Sequence, residues 1–355
     1  MTDFIKFLAF VLILTSPFVG AAAPVVPTGF KVSEFAAVRD ARSMALSPTG
    51  RVYVGSKDAG LVHFVEKRKT HVLLSGLEQP NGVAWFNDAL YVAAISNLRV
   101  IRGVDKIGPG AKPKLELLKG DFPTDFHHGW KYIAVGPDAK LYLPVGAPCN
   151  ICLSKMPYAA LHRLSLDGKK LETVAEGIRN TVGFTWHPET KQLWFTDNGR
   201  DNMGDNIPPD EVNVVTKEKS HFGYPFMHAT AYKDSYYYSQ MPKSLVTIPP
   251  VVEVAAHSAG LGLIFTHKSQ LAAAYTGCFL LAEHGSWNRS SKVGYQVSVG
   301  CPDKNKKFSL KPFMTGMLTM GQVSGRPVDV KFTADGALLV SDDHNGKIWK
   351  VEKTK

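Results

Sequence analysis

An oxygen-rich loop follows one of the clearest strand patterns in this sequence. The strand pattern is QLWFT at residues 192–196, and the loop runs from residue 197 to residue 213. The loop concentrates acidic and amide side chains between glycines and prolines: Asp197, Asn198, Asp201, Asp205, Asp210, Glu211 and Asn213. Carboxylate, amide and backbone carbonyl oxygens are hard ligands that suit Ca²⁺, although Asp and Asn are also common in solvated turns. The flanking segments 177–180 (GIRN) and 221–225 (HFGYP) favour a functional loop over a plain turn.

Two histidines and several cations could complete a site around this loop. His127 and His128 are suited to accept a proton near neutral pH. Neighbouring side chains on a strand point to opposite faces, so we expect at most one of the two histidines to reach the site. Arg179, Arg326 and the cations of residues 284–292 (HGSWNRSSK) could bind an anion. The structural alternatives are a hydrogen-bonded histidine, an arginine paired with a loop carboxylate, and a solvated hairpin tip.

The elements that must position these residues are six related units. Each unit combines a small residue, an alternating apolar strand, a turn rich in Pro, Asp or Gly, and a second alternating strand. The units cover residues 43–56, 82–95, 132–146, 183–199, 262–285 and 329–346. Helical periodicity is nearly absent, and the spacing of the units is close to the roughly 40–50 residues of a propeller blade.

The repeated unit predicts an all-β fold, a six-bladed β-propeller with four-stranded antiparallel blades. A single blade cannot bury both of its faces, so the blades must stack around a central axis. We expect the N-terminal strand Gly29–Ala36 to complete the blade that ends at residues 347–351, which closes the ring. A pair of β-sandwiches is the alternative, but it does not explain six similar units. In a propeller, the cations that open several blades meet the oxygen-rich loop near the axis, which predicts a pocket for a polyanionic ligand with a divalent metal.

The N-terminus and the composition predict an exported protein. Lys6, the apolar run at residues 7–19 and the small residues at 20–23 are typical of a secretory signal peptide, which we predict at residues 1–23. The propeller then spans residues 27–355, and we expect a periplasmic or secreted protein with no membrane span after signal removal. A retained N-terminal anchor is the alternative. The net charge of +10 is scattered along the chain, so no nucleic-acid partner is expected.

Export permits disulfide bonds between the four cysteines of the chain. Cys149 and Cys152 form a CxxC motif without the following histidine of a haem site, so we expect a local disulfide that braces a loop. Cys278 and Cys301 flank two strand-like runs joined by a loop. If these runs pair as a hairpin, the two cysteines fall opposite each other and within bridging distance.

The motifs taken together resemble one enzyme family. They are His128 ahead of GPD at 136–138, GIRN at 177–180, the loop at 196–213, FGYP at 222–225, GSWNRSSKVGY at 285–295, and Asp329 with ADG at 334–336. In combination they resemble the soluble PQQ-dependent sugar dehydrogenases, most closely the sorbosone-dehydrogenase-like branch, over nearly the whole mature chain. The resemblance implies a six-bladed propeller that binds pyrroloquinoline quinone (PQQ) and Ca²⁺.

The resemblance also implies roles for individual residues. His128 is similar to the general base that takes the proton of a sugar hydroxyl while hydride moves to the quinone, and Arg179 to a group that polarises the quinone oxygen. The implied cofactor-binding residues are Arg179, Asn180, Asn198, Asp210, Lys292 and Arg326. The implied Ca²⁺ ligands are the backbone carbonyls of Gly199 and Arg200 beside the cofactor, with Glu211 and the carbonyl of Phe222 at a second, structural site.

The chain departs from the family pattern at two places. Residues 181–183 read Thr-Val-Gly where the family commonly has Pro-Gln-Gly, and Val328 stands where a second cation is expected after Arg326. His127 also remains a candidate for the base in place of His128, because its spacing to Lys131 fits some relatives better.

The predicted function is PQQ- and Ca²⁺-dependent oxidation of an aldose or sugar aldehyde to a lactone or acid. The partners are a small-molecule sugar substrate and an electron acceptor of unknown identity. The first alternative is a metal-dependent lactonase of the gluconolactonase type, which uses an axial Glu-Asn-Asp cluster and does not need the cations Arg179, Lys292 and Arg326. The second is a non-catalytic binding propeller, against which those cations and His128 argue.

Overall fold

A computed structural model describes residues 23–354 as a ring of six β-sheets. The predicted signal peptide, residues 1–23, lies outside the described residues apart from Ala23. Two short 3₁₀ helices, Val104–Lys106 and Tyr238–Gln240, are the helical elements of the described chain. No helix in residues 23–354 is long and apolar enough to cross a membrane.

The first three blades follow one another along the chain. After β1 (Phe30–Ala37), blade 1 contains β2 (Met44–Leu46), β3 (Val52–Val54), β4 (Val62–Glu66) and β5 (Lys69–Leu74). Blade 2 contains β6 (Gly82–Phe86), β7 (Ala89–Ala93), β8 (Leu98–Arg102) and β9 (Glu116–Lys119). Blade 3 contains β10 (Ala134–Val135), β11 (Leu141–Val145), β12 (Ala160–Leu164) and β13 (Leu171–Glu176).

The last three blades carry the longer insertions. Blade 4 contains β14 (Phe184–Trp186), β15 (Leu193–Asp197), β16 (Asp210–Val215) and β20 (Val252–Val254). Between its last two strands lie β17 (Ser220–His221), which adds to blade 3 in parallel with β13, and the hairpin of β18 (Met227–His228) and β19 (Tyr232–Lys233). Blade 5 contains β21 (Gly260–Phe265), β22 (Phe279–Glu283), β23 (Gln296–Pro302) and β24 (Phe308–Met314). After the hairpin of β25 (Leu318–Thr319) and β26 (Gln322–Val323), blade 6 contains β27 (Pro327–Phe332), β28 (Leu338–Asp342) and β29 (Lys347–Lys353).

The N-terminal strand closes the ring. β1 pairs antiparallel with β29, with Val32 opposite Val351, so the fourth strand of blade 6 comes from the other end of the chain. The six-bladed, antiparallel propeller and its closure are therefore confirmed, and each repeated unit of the sequence supplies the first two strands of a blade. The short β17 is a fifth strand that the repeat does not predict, because it comes from an insertion in blade 4.

Hydrophobic clusters fill the space between consecutive blades. One joins blades 1 and 2 around Tyr53 and Leu90, and another joins blades 3 and 4 around Leu161 and Phe195. Equivalent clusters join blades 2 and 3, 4 and 5, 5 and 6, and 6 and 1. Each blade thus buries both faces against its neighbours, which fixes the loops at the ends of the inner strands around one axis.

Both expected disulfides are present. Cys278 and Cys301 are bonded, with a Cα–Cα distance of 4.3 Å, next to a hairpin register in which Phe279 lies opposite Gly300. Cys149 and Cys152 form the local disulfide of the CxxC loop. The predictions from the spacing of the cysteines are confirmed at both sites.

Candidate functional site

A cavity of about 760 Å³ lies at one end of the propeller axis, and we call it the axial pocket. Its walls come from the segments that precede the first strands of the blades and from the loops that follow the second strands. The cationic side chains that line it are Arg42, Lys57, Arg179 and Arg326. The lining carboxylates are Asp201 and Asp210, so cations outnumber carboxylates and the pocket suits an anionic ligand.

Arg179 is buried in the wall at the start of blade 4. Its Nε donates to the carbonyl of Asn150 at 2.9 Å and its Nη2 to Oδ1 of the same residue at 2.8 Å. The Nη2 atom also lies 3.1 Å from a carboxylate oxygen of Asp201. The ion pair considered as the structural alternative therefore exists, and Arg179 still lines the axial pocket.

Two buried carboxylates, Asp197 and Asp210, fasten the oxygen-rich loop to its neighbours. Asp197 accepts hydrogen bonds from the backbone amides of Arg179 and Asn180 at 2.9 and 2.6 Å. Asp210 accepts from the amides of Gly199 and Ala259, both at 2.7 Å. These hydrogen bonds hold the backbone of Arg179, Asn180 and Gly199 at the pocket. This gives the acidic residues at the ends of β15 and β16 a structural role.

Burial disfavours the charged form of these acids. It raises the pKa of Asp210 to about 7, against the opposing effect of its backbone hydrogen bonds. Burial also raises the pKa of Asp197 and of Glu211, which lie opposite each other on β15 and β16. Buried carboxylates with raised pKa values would be stabilised in their charged form by a nearby cation.

The expected Ca²⁺ ligands are only partly brought together. Gly199 lines the axial pocket, whereas the guanidinium of Arg200 pairs with Asp234 at 2.5 Å and so leaves only its carbonyl for a metal. Glu211 accepts from Nδ2 of Asn213 at 2.8 Å, and Phe222 is buried with its amide bonded to the carbonyl of Glu176.

Within residues 23–354, the residues around Glu211 offer oxygen donors but no dense cluster of charged ligands. In the described residues, no group of three or more His, Cys, Asp or Glu side chains is arranged to hold a metal. Oδ1 of Asn213 is buried without a hydrogen-bond partner in residues 23–354, beside the carboxylate of Glu211. The available donors are amide, carboxylate and carbonyl oxygens, the hard ligands that Ca²⁺ prefers.

His128 lies in a turn, which corrects the expected arrangement of the two histidines. The residue has a φ of 53° and is buried, while His127 is exposed. Their ring centroids are only 4.1 Å apart and both rings line the axial pocket. The expectation that they face opposite ways is wrong, because side chains alternate between faces on a strand and not in a turn.

The imidazole of His128 is oriented by the backbone. Its Nδ1 lies 2.9 Å from the carbonyl of Ala147, which assigns the proton to Nδ1 and leaves Nε2 as an acceptor. Ala147 in turn donates its amide to the carbonyl of Arg179 at 2.8 Å. Burial, with the nearby charge of Arg179, lowers the pKa of His128, so the ring is neutral at pH 7.

The remaining predicted residues divide into two groups. Asn180, Asn198 and Arg326 line the axial pocket with Arg179 and Asp210. The ammonium of Lys292 is exposed and donates to the carbonyl of Gly321 at 2.8 Å, and Lys292 is not among the lining residues of the pocket. The hairpin loop that carries Lys292 places its cation toward a neighbouring loop, which sequence spacing does not reveal.

Several pocket residues were missed by the sequence patterns. Arg42 is buried, pairs with Asp343 at 2.7 Å and donates to Asn81 at 2.9 Å. His284 lines the pocket and lies 2.9 Å from the same carboxylate of Asp343. The only available signal was the position of His284 at the end of a repeated unit. Asn150, inside the CxxC loop, was likewise missed as a partner of Arg179.

Two comparisons by sequence find relatives of this chain. The family model described as TrAA12-like matches residues 165–354. An uncharacterized protein of Borreliella burgdorferi is 33% identical over 341 residues, which covers 92% of this chain and 90% of the relative.

Solved structures share the fold at low sequence identity. The calcium structure of a Trichoderma reesei enzyme of Carbohydrate-Active Enzymes Family AA12 is 16% identical, with a TM-score of 0.74 over 94% of this chain and 97% of that chain. The holo PQQ domain of pyranose dehydrogenase from Coprinopsis cinerea is 17% identical, with a TM-score of 0.72 over 93% and 97%. The PQQ-bound aldose sugar dehydrogenase from Streptomyces coelicolor is 17% identical, with a TM-score of 0.67 over 92% and 99%. The sequence matches, supported by this common propeller, show that the chain belongs to the TrAA12-like family.

Proposed function

We propose that the protein is a PQQ- and Ca²⁺-dependent oxidoreductase. Its substrate is an aldose or a sugar aldehyde, as in the sorbosone-dehydrogenase-like branch, which it oxidises to a lactone or an acid. The observation that carries the proposal is the axial pocket, where four cationic side chains, His128 and His284 line a single cavity. Structural neighbours described as a pyranose dehydrogenase PQQ domain and a PQQ-bound aldose sugar dehydrogenase support it.

The axial pocket has the charge and size for PQQ. PQQ is a flat molecule with three carboxylates, and a cavity of about 760 Å³ falls in the usual range for a bound cofactor. Arg179 and Arg326 would bind its anionic groups, with Asn180 and Asn198 as amide partners and Asp210 fixing the backbone of Gly199. Lys292 is left out of the proposed set because it is exposed and bonded to Gly321.

Hard oxygen donors would hold Ca²⁺ at two places. The carbonyls of Gly199 and Arg200 would bind one ion at the pocket, and Glu211 with the carbonyl of Phe222 would bind a structural ion. Oδ1 of Asn213 lies beside Glu211 without a hydrogen-bond partner among residues 23–354, which supports a cation at the second place. Glu211 is buried with a raised pKa, so a bound cation would favour its ionised form.

The residues of this chain would perform the acid–base part of the reaction. When bound, PQQ supplies the hydride acceptor and Ca²⁺ a Lewis acid at its quinone oxygen. His128 accepts the proton of the sugar hydroxyl on Nε2, because its Nδ1 proton is directed to Ala147. Arg179 and Asn180 would stabilise the negative charge that develops on the quinone oxygen.

The two disulfides support an oxidising compartment for the mature protein. We therefore keep residues 1–23 as a secretory signal peptide, residues 27–355 as the propeller domain, and a periplasmic or secreted location. N-terminal sequencing of the protein recovered from the medium or the periplasm would detect cleavage after residue 23.

The proposed function is tested by reconstitution. The purified protein is titrated with PQQ in the presence of Ca²⁺, of Mg²⁺ or of a chelator, and binding is followed by the cofactor absorbance. We expect tight binding with Ca²⁺ only, followed by sugar-dependent dye reduction in a screen of aldoses and sorbosone. Absence of binding in every condition would show the proposal to be wrong, and lactone hydrolysis without PQQ would favour the lactonase.

A further inference from the structure

The proposed mechanism does not use a histidine–aspartate pair, His284 and Asp343, at the wall of the axial pocket. Nε2 of His284 is 3.0 and 2.9 Å from the two carboxylate oxygens of Asp343. Both side chains are mostly buried, with 14% and 16% of their surface exposed. Arg42 completes the group through its 2.7 Å ion pair with Asp343, and both His284 and Arg42 line the pocket.

The carboxylate fixes the tautomer of this imidazole. A hydrogen bond from Nε2 to Asp343 assigns the proton to Nε2, which leaves Nδ1 as an acceptor. Within residues 23–354, no protein group hydrogen-bonds to Nδ1 of His284. A base whose opposite nitrogen is held by a carboxylate is oriented, and its protonated form is stabilised by the negative charge.

Burial keeps His284 neutral before it reacts, and the surrounding charges shift its pKa in both directions. The groups that face it are Asp343, Arg42 and Arg326, and Arg326 also donates to the carbonyl of His284 at 3.3 Å. Burial is the largest effect and lowers the pKa of His284 to about 4, with Asp343 opposing and the two arginines adding to the shift. His128 lacks such a partner, because its ring nitrogen is held by the carbonyl of Ala147.

The proposed reaction needs two proton acceptors if the electron acceptor takes electrons only. Oxidation of a sugar carbon breaks its C–H and O–H bonds, and the carbon forms a carbonyl. The hydroxyl proton goes to His128, and the C–H hydrogen leaves as hydride with two electrons. When two molecules of a one-electron acceptor remove those electrons, the former hydride becomes a second proton, which must leave a pocket lined by cations.

We propose that His284, oriented by Asp343, is the second catalytic base of the axial pocket and accepts this second proton on Nδ1. The inference rests on the proposed function and assigns its two steps to two different bases. His128 serves the step in which the sugar delivers its electrons, and His284 serves the step in which the acceptor removes them. The proton then passes from His284 to water at the mouth of the pocket.

The pairing is tested first in the protein without cofactor. Long-range ¹H–¹⁵N NMR spectra should show His284 protonated on Nε2 and unprotonated on Nδ1. The D343N variant should change this tautomer signal, while H267Q, at an exposed histidine outside the pocket, should leave it unchanged. A proton on Nδ1 of His284 in the wild-type protein would overturn the proposal.

The closing experiment separates the two half-reactions by stopped flow. PQQ- and Ca²⁺-loaded protein is reduced by an aldose without acceptor, then mixed with ferricyanide and a pH-indicator dye. We expect H284Q to be reduced within about threefold of the wild-type rate and to be reoxidised about 10²–10⁴-fold more slowly, the range for a positioned base. D343N should slow reoxidation in the same direction, and H128Q should slow reduction instead.

The outcomes distinguish this inference from the proposed function. If the wild-type protein is not reduced by any sugar, the proposed function fails and this inference fails with it. If the wild-type protein turns over and H284Q is reoxidised at the wild-type rate, only the inference is overturned. Slow reduction of H284Q with normal reoxidation would also overturn it, because His284 would then serve the other step.

Discussion

The two walls of the axial pocket are built in different ways. The blade-4 wall, which contains His128, Arg179 and Asp201, is linked through short stretches of chain: Arg179 contacts Asn150 and Asp201, 29 and 22 positions away. The closure wall, which contains Arg42, His284 and Arg326, joins Arg42 to the carboxylate of Asp343, 301 positions away. The guanidinium of Arg179 is held by backbone and side-chain groups, whereas that of Arg42 is held by side chains that meet only once the ring is closed.

This difference has consequences for robustness. Arg179 is held by two contacts to Asn150 and one to Asn198 as well as by Asp201, so no single partner carries its charge. Arg42 depends on one carboxylate and one amide oxygen. We therefore expect substitutions in the blade-4 wall to lower the rate of the reaction more than the free energy of unfolding. Substitutions that remove the partner of Arg42 in the closure wall should lower the free energy of unfolding more.

The largest expected effect is on chemistry at the blade-4 wall. H128Q should lower the rate of sugar-driven cofactor reduction by about 10²–10⁴-fold, because it removes a positioned base while the residues that bind PQQ remain. H127Q should have a much smaller effect, since His127 is exposed. The rate is measured by single-turnover absorbance, with PQQ binding measured separately. If H127Q abolishes reduction and H128Q does not, the base is His127.

The next effect is on stability at the closure wall. D343A should lower the free energy of unfolding by about 3–5 kcal/mol, because Arg42 would keep a buried charge without its partner. The matched variant D201A should cost clearly less, since Arg179 retains its contacts to Asn150 and Asn198. Urea unfolding of the cofactor-free proteins compares the two. Equal losses would remove the distinction between the walls.

The pH dependence of stability provides a third comparison. His284 has a folded pKa of about 4, below the value of about 6.5 for an unfolded histidine, so the unfolded state binds the proton first as the pH falls. Its contribution to stability is present above pH 6.5 and is lost between about pH 6.5 and 4. At about 1.36 kcal/mol for each pKa unit, H284Q should weaken this pH dependence by on the order of 3 kcal/mol.

The pH experiment needs urea midpoints at several pH values between 4 and 7.5. The exposed His267 supplies the control, because H267Q should keep the wild-type dependence on pH. An unchanged pH profile in H284Q would mean that burial of this imidazole does not govern the acid stability of the closure wall.

The smallest effect concerns the CxxC loop, which carries Asn150 to Arg179. N150A removes the side-chain oxygen Oδ1, which accepts one hydrogen bond from Arg179 and one from the backbone amide of Asp201, each at 2.8 Å. Each hydrogen bond contributes about 0.5–1.5 kcal/mol to holding Arg179 in place. Because Arg179 is expected to bind PQQ, the loss of both should weaken PQQ binding by roughly tenfold. C149S/C152S should weaken it in the same direction, whereas C278A/C301A, in a blade-5 disulfide, should leave the affinity unchanged. Equal affinities in all three variants would show that the CxxC loop does not position Arg179.

The ring and part of the site could be predicted from local patterns of residues. The repeated strand–turn–strand pattern predicted six blades and their closure by the N-terminal strand, because alternation with a period of two reports which face of a strand is buried. The spacing of Cys278 and Cys301 predicted their bond, because hairpin register follows from counting residues away from the turn. Arg179, Asn180 and Asn198 were found because they lie in compact local motifs.

The way in which the walls of the pocket are completed could not be predicted before the blades were placed in three dimensions. The turn at His128 brings two adjacent imidazoles together, and the loop of Lys292 takes its ammonium to Gly321, although neither conformation follows from residue order. Arg42 and His284 meet Asp343 from distant parts of the chain. The physical reason is that a local pattern records which faces are buried, whereas contacts between neighbouring blades depend on how the blades stack and close into a ring, which sets distances that no local segment encodes.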